Sequence, residues 1–150
     1  MGRKIIAVIG GSEANKATLK VAEEVGRQIA LRKAVLVCGG LGGVMEAAAR
    51  GAKEEGGITV GIVPHKHTGD ANPFIEIPVA TGFGEGRNVI IARTADALIA
   101  VGGEYGTLSE IAFGLKMRKP VIGIGSWEIK GVIKAASAEE AVGKAFELLE

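Results

Sequence analysis

The chain has 150 residues, with 18 basic and 17 acidic side chains and a formal net charge of +1. That length carries one ordinary core, and the charge balance excludes a general basic field for nucleic acid and an acidic tail. The lone Cys38 excludes an internal disulfide, and the apolar run behind Met1-Gly2-Arg3-Lys4 is too short for a leader or a membrane span. The expectation is a soluble cytoplasmic protein with neither nucleic acid nor membrane as partner.

Residues 5–9 read as a strand. Val21, Val25 and Ile29 recur every four residues and predict a helix over about 15–30. A second strand at 34–37 follows. A helix marked by Val44, Ala48 and Ala52 then stops near Gly56-Gly57, and a third strand covers 58–63. The stretch from 64 to about 85, with Pro64, Pro73 and Pro78, reads as a long irregular loop of the kind that often carries function. Arg87 precedes a short apolar helix at 89–92. A fourth strand at 97–101 leads to a helix on Leu108, Ile111, Ala112 and Leu115. Pro120 opens a fifth strand at 121–124, and 132–135 reads as a short edge strand. Ser137-Ala-Glu-Glu140 predicts a capping box for a last helix, with Ala141, Ala145, Phe146 and Leu149 inward.

The strands are almost continuously apolar, so both faces are covered, as in a parallel sheet. With the strand–helix alternation this predicts an α/β fold, Rossmann-like and doubly wound, in a single domain over 1–150. Its sheet is expected to be mostly parallel, with helices on both faces.

Glycine is the compositional outlier, at 24 of 150 residues, more than double the usual share of about 7%. Three strands end in glycine turns: Gly10-Gly11-Ser12, Gly39-Gly40-Leu41-Gly42-Gly43 and Gly102-Gly103-Glu104-Tyr105-Gly106-Thr107. Each leads into a helix, whose first amides and dipole favour anions. Ligands bind beyond the carboxyl ends of such strands, where the strand order reverses. Gly10, Gly11, Ser12, Gly39, Gly40, Gly42, Gly43, Gly103, Gly106 and Thr107 are therefore expected to cradle a phosphate, with Tyr105 stacking on a heterocycle. The dinucleotide and P-loop fingerprints are missing, so a mononucleotide or another phosphorylated heterocycle fits better.

Thr107 and Glu110 also read, from spacing alone, as a capping box. Arg87 at a helix start opposes the dipole and needs Glu110 or a bound anion to compensate. Arg93 and Asp96 read as a local surface pair. Lys116, Arg118 and Lys119 read as favouring the dipole of the helix they end. Cys38 reads as a small core residue. His65 and His67 lack further ligands at a recognisable spacing, so no metal site is expected.

The run from Arg87, "RNVIIARTADALIAVGGEYGTLSE", resembles the Lonely Guy family, often mislabelled lysine decarboxylases. The hallmark of that family is an arginine, an A-R-x-A-D-A stretch and P-G-G-x-G-T-x-x-E. The resemblance implies hydrolysis of the N-glycosidic bond of nucleoside 5′-monophosphates, with Arg87 and Glu110 as the catalytic pair. Glu110 would stabilise an oxocarbenium-like state or activate water, and Arg87 would hold it ionised. The family's P-G-G is replaced by Gly102-Gly103-Glu104, and its M-H-x-R-K by Gly84-Glu85-Gly86-Arg87-Asn88. With "GEGRN" and "ANPFIEIPVATGFG", the chain is more similar to the molybdenum cofactor carrier branch. That branch implies a bound AMP-like nucleotide or molybdopterin, no cofactor needed for folding, and a homodimer or homotetramer. Three readings stay open: a cofactor carrier, a nucleoside monophosphate phosphoribohydrolase, and a nucleotide-sensing module.

Overall fold

The computed structural model describes residues 2–150. Seven strands are β1 (Ile5–Gly10), β2 (Val35–Cys38), β3 (Ile58–Val63), β4 (Ile77–Ala80), β5 (Ala97–Val101), β6 (Val121–Ile124) and β7 (Ile133–Lys134). They form one sheet in the order β4-β3-β2-β1-β5-β6-β7, and every neighbouring pair is parallel. Five helices connect them: α1 (Lys16–Leu31), α2 (Val44–Glu54), α3 (Arg87–Thr94), α4 (Tyr105–Lys116) and α5 (Ala138–Leu148).

The sheet separates two cores, and the pleat of β1 feeds both. Ile6 and Val8 pack with α1, α2 and α5, through Val25, Ile29, Val44 and Val142. Ala7 and Ile9 pack with α3 and α4, through Ile91 and Ile111. This burial on both faces is why the strands lack polar alternation.

Strand order reverses between β1 and β5, the two central strands. Asp96, just ahead of β5, accepts a hydrogen bond from the Ile5 N–H at 2.8 Å. Asp96 thus locks the start of the central pair instead of pairing with Arg93. The Lys119 ammonium donates to the Ala92 and Arg93 carbonyls at 2.8 and 2.6 Å. It therefore serves the last turn of α3 rather than the end of α4.

The stretch 64–85, expected to be irregular, contains β4. β4 is short, mostly exposed, and carries Pro78 opposite Gly61 of β3, as suits an edge strand. Buried Asn72 anchors the preceding segment. Its backbone N–H donates to Gly40 O at 2.9 Å and its side-chain amide to Leu41 O at 2.8 Å.

Two helices start on side-chain caps, of which the one at Ser137 follows the sequence expectation. Asn15 accepts from the Thr18 N–H at 2.8 Å. Ser137 accepts from the Glu140 N–H at 3.2 Å, while the Glu140 carboxylate reaches back to the Ala136 N–H at 3.0 Å.

Helices α1 and α2 approach backbone to backbone. A Cβ on Gly26 would overlap Ala48 O, and one on Gly51 would overlap Glu23 O. Replacing a helical glycine by alanine gains about 1 kcal/mol in propensity. Forcing a methyl against a carbonyl in a packed interface costs roughly 1–3 kcal/mol. Gly51→Ala should therefore lower the urea midpoint despite its better helix propensity. A raised midpoint would mean that the two helices can separate without loss.

Candidate functional site

A cleft of about 540 Å³ opens beyond the carboxyl ends of β1, β2 and β5. It lies at the strand-order reversal, where open parallel sheets place ligands. The turn after β1 supplies Gly10, Gly11 and Ser12, and the turn after β2 supplies Gly39. The first turn of α4 contributes Gly106 and Thr107, its second turn Glu110, and the first residue of α3 is Arg87.

Other members of the expected cradle lie off the cleft wall. Gly43 precedes α2 at φ +64, and a Cβ there would overlap Gly11 O and Ser12. Its role is to interlock two turns, sealed by the Val44 N–H donating to Gly11 O at 3.0 Å. Gly40 carries the carbonyl that receives Asn72, and Gly42 sits against Ser12 O. Gly103, at φ +111, lets the Thr107 side chain fold against its α-carbon. Tyr105 points outward with 78% of its surface exposed, stacked on Trp127 at 6.0 Å. It is not among the cleft-lining residues.

Thr107 and Glu110 do not form a capping box. Helix α4 begins at Tyr105 after Glu104, with no side-chain cap, so both residues lie inside the helix and are buried. Gly102 and Gly103, both at positive φ, turn the chain early enough to start the helix ahead of Thr107. Its first amides have no helical acceptor, and Gly106 and Thr107 present them at the cleft.

Arg87 is half-buried. Its Nη2 donates to Gly39 O at 3.3 Å, its Nη1 donates to the Asn88 side-chain carbonyl, and its Nε is buried without a partner. Of the two partners expected for Arg87, Glu110 or a bound anion, Glu110 is not the one it meets, and its acceptors within the chain are neutral. Arg87 and Glu110 form no ion pair. Burial lowers the Arg87 pKa, against the pull of Glu110.

Glu110 is 6% exposed. Burial pushes its carboxyl up to about 8, with Arg87 only partly opposing the shift. The resemblance implies an Arg87 that holds Glu110 ionised. Desolvation wins instead, and the carboxyl is largely neutral near pH 7. Burial pushes the Cys38 thiol up to about 12, so it is inert as a nucleophile there.

Among the lining residues, Arg87 is the only lysine or arginine, while Glu13, Glu85 and Glu104 edge the cleft. His65 also lines it, stacks on His67 at 5.7 Å and approaches Asp70 at 3.3 Å. No group of three or more potential metal ligands gathers among the described residues. Glu13 and Met45 carry no sequence signal for the cleft, since nothing in their local pattern marks them.

The family model that matches residues 3–148 is the SLOG cluster4 family. The chain belongs to that family. This agrees with the Lonely Guy-like resemblance of the stretch from Arg87 to Glu110. A cytokinin riboside 5′-monophosphate phosphoribohydrolase of Oryza sativa subsp. japonica is 33% identical over 116 residues, covering 73% of this chain and 47% of that protein. The chain thus spans about half the length of this relative. The structure of the molybdenum cofactor binding protein from Rippkaea orientalis superposes at a TM-score of 0.95 and 37% identity, covering 100% of this chain and 99% of that one. The molybdenum cofactor carrier protein of Chlamydomonas reinhardtii superposes at 0.88 and 34% identity, covering 99% of both chains. The fold is therefore the Rossmann-like one, near the molybdenum cofactor carrier branch.

The Glu110 carboxyl gives the site a stability signature. In the unfolded chain it releases its proton near the ordinary 4.5, and in the folded chain only near 8. Between these values the folded state binds more protons, so stability falls as pH rises. At about 1.4 kcal/mol per pKa unit, the loss from pH 5 to 8 is on the order of a few kcal/mol. Glu110→Gln should flatten this slope in urea melts across that range. An unchanged slope would mean that Glu110 titrates normally.

Proposed function

We propose that the cleft binds a phosphorylated heterocycle, a molybdopterin-type cofactor or a nucleoside monophosphate, and holds it as a carrier does. The observation that carries this reading is the pairing of Arg87 with the amide end of α4 in one cleft at the strand-order reversal. The residues present fit such a group. An anion between Arg87 and Gly106 would meet the unpartnered Arg87 Nε side and free helix amides. The carboxylates of Glu13, Glu85 and Glu104 repel an anion elsewhere and accept from the amino and ring N–H groups of a heterocycle. Gly10, Gly11, Ser12 and Gly39 leave room for close backbone approach. The cleft volume of about 540 Å³ suits a ligand of this size. Two full-length structural neighbours named for this cofactor support the carrier form. The homodimer or homotetramer implied by the resemblance belongs to the same proposal.

One observation favours hydrolysis as a second reading. Arg87 and Glu110, the pair that the resemblance makes catalytic, line the same cleft. A carboxyl titrating near 8 is poised to give a proton to a departing base. Water would add to the ribose carbon as the bond to the base breaks.

Gly106→Asp separates binding from folding. Nothing lies within 4 Å of a Cβ at this position, and an acid in the first helical turn favours the dipole. Calorimetry should show stability kept and AMP affinity reduced at least about tenfold, near 1.4 kcal/mol. Unchanged affinity would move the anion away from α4. Chromatography of the same AMP mixtures reads the second reaction. Free adenine that disappears in Glu110→Gln would make the protein a phosphoribohydrolase, whereas bound and intact AMP supports a carrier.

A further inference from the structure

Arg87 and Glu110 line one cleft without forming an ion pair. A chain of side chains lies behind Arg87. Asn88 follows Arg87 in α3 and is 6% exposed. Its carbonyl accepts from Arg87 Nη1. Its amide nitrogen donates to Ser109 Oγ at 3.2 Å, and Ser109 Oγ donates to Gly106 O at 2.6 Å. The amide orientation is dictated by chemistry. A guanidinium has no acceptor, so the Asn88 carbonyl must face it and the NH₂ must face Ser109. On its other side the guanidinium is held by Gly39 O at 3.3 Å. The relay thus ties the first turn of α3 to the first turn of α4 and fixes Nη1, while Gly39 O fixes Nη2.

We propose that Asn88 is a positioning residue: with Ser109 it holds the Arg87 guanidinium off the Glu110 carboxyl, so that a cation and a carboxyl stay separately available to one ligand. Its purpose rests on the ligand-binding reading above, but its geometry stands in the protein alone. An aspartate at this position would keep the acceptor for Arg87, lose the donor to Ser109 and add a charge. A lysine, as in the family pattern, would offer Arg87 no acceptor at all. The other titratable groups of the cleft lining are Glu13, His65, Glu85 and Glu104, and the buried Cys38 thiol also feels Glu110. All of them are common to the variants below.

The test is a carboxyl-carbon NMR titration of Glu110 in the ligand-free full chain. Wild type is compared with Asn88→Ala, Ser109→Ala, Arg87→Met and the double variant Arg87→Met/Asn88→Ala. Release of Arg87 in Asn88→Ala should let it close on Glu110 and lower the Glu110 midpoint by about one unit or more. Ser109→Ala should shift it in the same direction by less. In the Arg87→Met background, Asn88→Ala should have no further effect. An unchanged midpoint in folded Asn88→Ala overturns the proposal, as does an equal shift without Arg87. Should Asn88→Ala not fold, Ser109→Ala decides: a midpoint equal to wild type overturns it. AMP plays no part in this titration, so failure of the relay and failure of the ligand reading are told apart.

Discussion

A guanidinium stays charged at any physiological pH, and once half-buried it must be given acceptors. In this protein Arg87 finds them in a backbone carbonyl and a neutral amide, not in the carboxyl across the cleft. Much of the site follows from that choice. A Cβ at position 39 would meet Arg87 Nη2 and Met45 Sδ, each at 2.6 Å, so a side chain there would push the guanidinium from its place. Glu110, left without a counter-ion and cut off from water, holds its proton. The first turn of α4 is braced by the same hydrogen bonds, so its amides face the cleft in a fixed attitude.

The glycine turns divide between two tasks that look identical in sequence. Gly10, Gly11, Gly39 and Gly106 line the cleft, while Gly40, Gly42, Gly43 and Gly103 shape the backbone around it. The division reflects the cost of bringing two turns into contact. Gly43 can touch Gly11 and Ser12 only without a side chain, and that contact sets the turns after β1 and β2 side by side. In these turns as many glycines stand behind the cleft wall as on it.

The fold was legible because its elements are long, apolar and periodic. Val21, Val25 and Ile29 mark one helix face, and unbroken apolar runs mark strands covered on both sides. β4 was illegible because an exposed four-residue edge strand with a proline carries none of these signals. Arg87 and Glu110 were legible as partners in one cleft, but not their protonation, which depends on burial set by the whole fold. Thr107 and Glu110 show a second limit. Their spacing is the same at a cap or one turn further in, and only the backbone of Gly102 and Gly103 decides where the helix starts. Tyr105 shows a third. Its neighbour Gly106 lines the cleft, while its own ring lies on Trp127. Asn88 read as a departure from a motif, and its bridging role came from tertiary contacts with α4.

The central strand pair also sets the order in which this chain can assemble. The hydrogen bond from Ile5 to Asp96 spans 91 residues, and the β1–β5 register lies alongside it. On the ribosome, β1, α1, β2, α2 and β3 are made well before β5 appears. At about 5–20 residues per second, one edge of β1 waits several seconds with its ladder unpaired. The first half can close its α1–α2 layer in that interval, because β1, β2 and β3 pair with one another. The other sheet face stays bare until α3 and α4 emerge. The cleft, which draws on both halves, thus has no complete wall until synthesis has passed Glu110.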